Sequence, residues 1–305
     1  MAELIKPPKY RIITADPIIV ISSEMIDKAY KKLHSEIDVR KYWEFVNRKE
    51  RKKTPCVKRT DGPHILSRNN EKTDEALLVV SEALRKHCKT LGIDISERLV
   101  SLDDFFVFPA SENEFKAKAD MRMIFIEECC NHADFLFILL HEQVHSAGIN
   151  SLYASKEGKL ILIGHGFFYK DKFLGLDEGF TDMMAMYIAS KSSGFSGKKW
   201  SLNYDLQTLV CDCLIADIAE RINVKNEIVY RYFQRGYILG GNGVMELIKS
   251  IYGNHGLLEL GRIPSIHGEE YIEKKFSKGD LSSRIGFDQR YEEFKRGEYR
   301  LEVLS

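Results

Sequence analysis

Two histidines and a glutamate lie within five residues of one another, at His141, Glu142 and His145. Positions four apart stack on one face of an α-helix, so the two imidazoles could reach one metal ion about 2 Å away. Glu142 is one step further round the helix, where it could take a proton from metal-activated water without being a ligand. The spacing therefore predicts a zinc site, with Glu142 as the general base for hydrolysis of an amide bond.

The residues around this motif favour a buried helix. An apolar run covers residues 133–140 and leads into the motif, and Gly148 follows it as a helix stop. A helix that is apolar nearly all round belongs inside a domain, where dry surroundings can fix the rotamers of metal ligands. The alternative is a buried helix whose two histidines only form hydrogen bonds within the core.

A second acidic segment, residues 176–185, could supply the missing ligand. Glu178 would complete a set of three protein ligands, which leaves one position of a catalytic zinc open. Asp182 follows at i+4 and could accept the second ring N–H of a zinc-binding histidine. Alternatively, Asp177, Glu178 and Asp182 are acids in the first turns of a helix, where they favour its dipole. That interpretation explains the charge but not the pairing with the upstream motif.

Together, the His-Glu-x-x-His motif and the segment Glu-Gly-Phe-x-Asp at 178–182 resemble the gluzincins, the thermolysin-like clan of zinc metallopeptidases. Residues 159–168 and 175–180 are especially similar to small soluble gluzincin-like proteins of largely unassigned function. The likeness covers about residues 119 to 190. The chain between the two motifs is longer than in thermolysin itself, which suggests an inserted hairpin near the cleft.

The resemblance implies a role for five residues and one cofactor. His141, His145 and Glu178 would bind one Zn²⁺ per chain. Glu142 would be the base and Asp182 the partner of a ligand histidine. The implied function is that of a zinc-dependent metallopeptidase. A different class of function is a catalytically idle zinc-binding gluzincin scaffold that acts in protein recognition.

The resemblance and the sequence pattern together predict an α+β, zincin-like fold. We expect a mixed sheet over the active-site helix and a mainly α-helical C-terminal lobe. The predicted units are residues 1–98, a mixed α/β N-terminal scaffold region; residues 99–195, the zincin-like catalytic core; and residues 196–305, the α-helical C-terminal lobe.

Individual elements follow from residue type and spacing. Helices are predicted at 23–34, 73–91, 204–221, 226–235 and 243–252, and strands at 99–108 and 121–126. The strand at 121–126 is a candidate edge that could pair with an extended peptide, although an internal strand is equally compatible. A hairpin is predicted from segments 160–163 and 167–169. The charged residues from about 281 onwards lack an apolar period, so we expect a frayed end.

Peptide hydrolysis also requires a donor beside the developing oxyanion. Tyr204 is the first choice and His165, in a glycine-flanked turn, is the second. His255, Tyr232 and Arg231 remain open. Tyr204 could equally be a packing residue at a helix end, and His165 an exposed turn residue.

Composition agrees with an intracellular enzyme. The chain has 305 residues, with 45 basic and 45 acidic side chains and a formal net charge of zero, so no global field steers it to nucleic acid or to a membrane. The basic run at 48–59 could contact nucleic acid, but a solvated helix end is the simpler interpretation. The start lacks a leader pattern, and the six cysteines lack a disulfide pattern, which indicates a cytoplasmic location. The expected partner is a peptide or protein substrate, with the oligomeric state open.

Overall fold

The computed structural model of the chain describes residues 11–12, 19–20, 71–108, 117–120, 123–127, 132–154, 160–167, 172–195, 204–265 and 267–301. The helix predicted at 23–34 and the basic run at 48–59 lie outside these ranges.

Helices make up most of the described chain. They are α1 (Glu71–Thr90), α2 (His132–Ala147), α3 (Leu174–Lys191), α4 (Asp205–Arg221), α5 (Asn226–Leu239), α6 (Asn242–Gly261), α7 (Gly268–Lys274), α8 (Asp280–Arg284) and α9 (Phe287–Lys295). The helices predicted at 73–91, 204–221, 226–235 and 243–252 are confirmed as α1, α4, α5 and α6. The last of these runs further than predicted, across a kink at Gly253, where φ is 72°.

Short strands pair in two small groups. They are β1 (Arg11–Ile12), β2 (Ile19–Val20), β3 (Phe105–Phe108), β4 (Ala117–Asp120), β5 (Met123–Glu127), β6 (Ile149–Ala154) and β7 (Leu160–His165). In the first group the order is β2-β1-β6-β7, with β1 and β6 parallel and the other pairs antiparallel. In the second the order is β3-β5-β4, and Ile124 of β5 lies opposite both Phe105 and Ala119.

The prediction of an α+β fold with a mixed sheet over the active-site helix is wrong, because the described residues are mainly helical. The β-forming run at 99–108 shows one reason. A 3₁₀ turn at Leu102–Asp104 takes up part of it, with a 2.9 Å hydrogen bond from the Ser101 hydroxyl to the Asp104 carboxylate across the turn. The strand that remains, β3, has four residues.

Two finer strand predictions can be compared with the described strands. The candidate edge at 121–126 corresponds to β5, which is paired on both sides, so the internal interpretation holds and β4 lies at the end of the group. Of the hairpin predicted from 160–163 and 167–169, residues 168–169 lie outside the described ranges, and the turn expected to begin at Gly164 is not formed there. Residues 160–165 form one strand that pairs with the preceding β6, and Gly166, with φ of 51°, turns the chain after it.

The core forms around α2 and α3. Residues 135–147 of α2 are buried on every side, which confirms the expectation of an interior helix. Helix α3 contacts α2 on one side and α4 on the other. The start of α3 is tied to the end of α6, because the Phe173 N–H donates to the Gly261 carbonyl at 3.2 Å and the Gly175 N–H donates to the Ile263 carbonyl at 2.9 Å.

The end of the chain is helical up to Lys295 and packed, so the expected fraying is wrong for the described residues. Leu281, Ile285 and Phe287 are buried, and the Phe287 ring meets that of Phe276 edge-on. A few large apolar side chains anchor these short helices in a charged background, where no regular period reveals them. Of the helices described, none is long and apolar enough to cross a membrane.

Candidate metal centre

Three donor atoms converge where α2 meets α3. The Nε2 atoms of His141 and His145 lie 2.9 Å apart on one face of α2. Oε2 of Glu178, in the first turns of α3, lies 3.2 Å from the first nitrogen and 3.1 Å from the second. Both histidines are buried, whereas the Glu178 side chain is 18% exposed, so Glu178 is the one of the three residues most in contact with solvent.

These distances fit a metal ion. Tetrahedral zinc with ligands at about 2.0–2.1 Å has ligand atoms about 3.3 Å apart. The three separations in this cluster, 2.9 to 3.2 Å, are close to that value. Two imidazoles and a carboxylate are also donors that zinc accepts. His141, His145 and Glu178 could therefore hold one ion.

Nδ1 of His141, the ring nitrogen on the far side from the cluster, contacts the carboxylate of Asp182. Nδ1 lies 2.6 Å from Oδ1 of Asp182, and Oδ2 of Asp182 accepts the Tyr204 backbone N–H at 3.0 Å. Burial opposes protonation of His141, but the charge of Asp182 and its hydrogen bond raise the pKa of this histidine well above its ordinary value. Because the carboxylate accepts a hydrogen from Nδ1, Nε2 is the nitrogen that would bind a metal ion after giving up its own proton.

The outer nitrogen of His145 has different neighbours. Nδ1 lies 3.0 Å from the Tyr237 hydroxyl of α5 and 3.5 Å from Oδ2 of Asp177. Oδ1 of Asp177 accepts the Phe167 backbone N–H at 2.7 Å. The hydroxyl of Thr181, one turn beyond Glu178 in α3, lies 2.6 Å from that of Tyr237.

Opposite environments separate the two glutamates of the centre. Burial raises the pKa of Glu142, and the nearby His141 and His145 only partly offset it, as does a hydrogen bond from the Ala119 backbone. Burial acts in the same direction on Glu178, but His145 and His141 outweigh it and hold the pKa of Glu178 well below its usual range. Glu178 is thus a stable anion, and Glu142 is the acid closer to accepting a proton.

The first- and second-choice donor candidates, Tyr204 and His165, both lie beside the cluster. The ring of Tyr204 stacks on that of His141, with centroids 5.8 Å apart. Burial, together with the charges of Glu178 and Glu142, raises the pKa of Tyr204, so its phenol keeps its hydrogen. His165 ends β7, with Nδ1 at 2.9 Å from Oδ2 of Asp177 and a side chain 28% exposed. Burial opposes the rise in the pKa of His165 that Asp177 causes.

The other three candidates have their contacts elsewhere. Arg231 donates to the Thr90 carbonyl at the end of α1, and His255 is exposed and pairs with Glu259 within α6. The Tyr232 hydroxyl is close to Gly243 at the start of α6. These contacts favour Tyr204 and His165 over the three.

Sequence reasoning missed two residues that contact His145, namely Thr181 and Tyr237. Thr181 follows Glu178 by three positions in the same helix, a spacing that could have suggested it. Tyr237 is 92 residues away from His145 along the chain, and no local pattern marks it.

Comparison of the chain with protein-family models, with curated proteins and with solved structures finds no match. The resemblance to gluzincins rests on the two motifs alone and stays a prediction.

Proposed function

We propose that this chain is a zinc-dependent metallopeptidase. The observation that carries the proposal is the convergence of His141, His145 and Glu178 on one point, with the buried carboxyl of Glu142 beside it. Zinc held there would supply a Lewis acid that lowers the pKa of water and polarises a carbonyl group.

The chain's own groups account for the proton transfers. Glu142 takes a proton from the attacking water and returns it to the leaving amine nitrogen. A pKa raised by burial suits this role, because the carboxyl must both accept and release the proton near neutral pH. Tyr204 keeps its hydrogen and can donate to the developing oxyanion. His165 is the second candidate for that donation.

A peptide substrate is supported by the strand next to the base. Within the described residues β4 is paired on one side only, and Ala119 in this strand contacts Glu142. An extended peptide could pair with the free side of β4 through backbone hydrogen bonds. Its scissile bond would then lie near the base.

The alternative is an idle scaffold that binds zinc and recognises a protein. A structural zinc site is normally closed by four ligands and needs no base. Three donors form this cluster in the part of the chain that the structure describes, and Glu142 is present. Both observations favour the enzyme.

A cytoplasmic location is part of the proposal. The described cysteines Cys88, Cys211 and Cys213 are buried thiols, a state that suits a reducing compartment. Burial raises the pKa of Cys88 to about 12, so this thiol is unreactive.

The experiment is cleavage of a quenched mixed-peptide library by the zinc-loaded protein, beside its Glu142→Gln variant. The proposal predicts cleavage by the first and not by the second, with one zinc in both. Zinc in both proteins without cleavage by either would favour the idle scaffold. Absence of zinc from the wild-type protein would exclude both functions.

A further inference from the structure

A row of hydrogen bonds leads away from the outer nitrogen of His145 and ends on a backbone carbonyl. The Thr181 hydroxyl donates to the Asp177 carbonyl at 2.8 Å, four residues back in α3. A carbonyl oxygen can only accept, and a hydroxyl has one hydrogen, so Thr181 has none left for Tyr237. The contact of 2.6 Å between the two hydroxyls therefore has Tyr237 as its donor.

The direction of the Tyr237–Thr181 hydrogen bond also fixes the direction of the bond between Tyr237 and His145. Because the hydrogen of Tyr237 is used on Thr181, its oxygen can only accept from His145, 3.0 Å away. Nδ1 of His145 must then carry the hydrogen, and Nε2 has the free lone pair that a metal ligand requires. Oδ2 of Asp177, 3.5 Å from Nδ1, favours the same tautomer, since a carboxylate also accepts.

We infer that Tyr237 and Thr181 are positioning residues that hold His145 in its metal-binding tautomer. The inference rests on the proposed metal centre and adds two residues to it. In the metal-free protein a hydrogen bond also favours the other tautomer of His145, because an Nε2–H could donate to Glu178 at 3.1 Å. The hydroxyls of Tyr237 and Thr181 stabilise the Nδ1–H tautomer against that bond in the metal-free protein.

The Tyr237 ring is held in place by close packing against its neighbours. A Cβ at Gly148 would lie 2.6 Å from its ring, and a Cβ at Gly166 would also collide with it. The ring is fully buried and packs edge-on against Phe167, with centroids 5.4 Å apart. Two glycines at the ends of the β6–β7 hairpin therefore leave the space that brings α5 to the metal centre.

The test combines zinc affinity with the tautomer itself. Zinc affinity is measured by competition with a chelator for the wild-type protein and for Tyr237→Phe, Thr181→Val and Thr181→Ser. We expect Tyr237→Phe to weaken zinc binding by about 10- to 100-fold, the usual effect of losing a partner of a ligand histidine. Thr181→Val changes affinity in the same direction, and Thr181→Ser, which keeps the hydroxyl, restores it.

The matched control is Tyr230→Phe. Tyr230 lies two turns earlier in α5 and is equally buried, and its hydroxyl donates to the Met183 carbonyl at 3.2 Å. Loss of that bond affects stability without touching His145, so zinc affinity should stay at the wild-type value. Equal weakening by Tyr230→Phe and Tyr237→Phe would overturn the inference.

Nitrogen NMR of the metal-free wild-type protein, assigned with His145→Gln, reads the tautomer without any variant in the row. Hydrogen on Nδ1 supports the inference, and hydrogen on Nε2 overturns it. The full set of measurements also separates the inference about Tyr237 from the proposed peptidase function. Zinc binding and peptide cleavage that are both unchanged in Tyr237→Phe would remove only the inference, whereas a wild-type protein that binds no zinc would remove the proposed function.

A competing arrangement is covered by the same set of measurements. His145, His165 and Asp177 also lie close enough to hold an ion. A second zinc per chain, lost in His165→Ala, would make Nδ1 of His145 a ligand and would overturn the inference. One zinc per chain in both proteins agrees with it.

Discussion

The proposed metal centre and a second buried acidic site, formed by Asp212, Arg290 and Tyr299, balance charge in different ways. Asp212 of α4 is 1% exposed; its Oδ2 lies 3.4 Å from the Arg290 guanidinium and accepts the Tyr299 hydroxyl. The ion pairs of the metal centre instead join acids to histidines, which carry charge only when protonated. A permanent cation closes the Asp212 site, whereas the histidines can exchange protons for a metal ion. Buried charge alone therefore does not mark function; the kind of partner does.

The largest expected effect comes from the base of the metal centre. Glu142→Gln keeps the shape of the side chain and removes its ability to take a proton, so we expect kcat to fall by about 10²–10⁴-fold. Zinc content should not change. Peptide cleavage and metal content are measured on the same samples, with Asp212→Asn as an acid-to-amide control far along the chain. Full activity of Glu142→Gln would mean that another group is the base.

Removal of a ligand comes next. Glu178→Ala leaves two imidazoles, and we expect zinc affinity to fall by more than the roughly 10- to 100-fold typical of a supporting residue. Asp182→Ala, which removes only the partner of His141, should fall within that range. Chelator competition measures both. An equal loss in the two variants would contradict the assignment of Glu178 as ligand and Asp182 as support.

The Asp212 site should respond in the opposite way. Asp212→Asn removes the negative partner of Arg290, and we expect the free energy of unfolding to fall by about 2–3 kcal/mol, with zinc affinity unchanged. Urea unfolding measures the first quantity. Asp280→Asn, in an exposed pair with Arg284, is the matched control and should cost less than about 1 kcal/mol. A change in zinc affinity in Asp212→Asn would erase the distinction between the two sites.

A histidine without an acidic partner sharpens the comparison. Burial lowers the pKa of His87 to about 4, although the nearby Gln234 acts in the opposite direction, whereas the pKa of His141 is raised. Between pH 6.5 and about 4, His87 is protonated in the unfolded chain but not in the folded protein. Stability is therefore lost as pH falls from about 6.5 to 4, by at most about 3 kcal/mol.

Urea unfolding of the metal-free protein at pH 7 and pH 4.5, beside His87→Gln, checks this sign. The variant should lose less stability than the wild-type protein between the two pH values. Equal losses would mean that His87 is protonated in both states or in neither.

Local patterns predicted most residues of the candidate metal centre and few of the residues that surround it. Residues 141–145 lie in one helix and 178–182 in another, so spacing alone indicated which side chains share a face. Tyr237 could not be found in this way, because its contact with His145 depends on how α5 packs against two glycines far away in sequence. The role of each residue remains to be measured.

The fold was predicted less well, for physical reasons that particular residues show. Leu99 to Phe108 is rich in β-formers, yet residues 102–104 form a 3₁₀ helix, across which the Ser101 and Asp104 side chains are hydrogen-bonded. Helices α8 and α9 depend on Leu281, Ile285 and Phe287, which are too few to form a period. Isolated large side chains stabilise short helices through tertiary packing, which composition does not reveal.

X-ray absorption at the zinc edge tests the central claim most directly, because it reports the atoms around the ion. The account predicts one zinc per chain surrounded by nitrogen and oxygen at about 2.0–2.1 Å, with a changed spectrum in Glu178→Ala. Sulfur among the neighbours, or a spectrum that Glu178→Ala leaves unchanged, would contradict it.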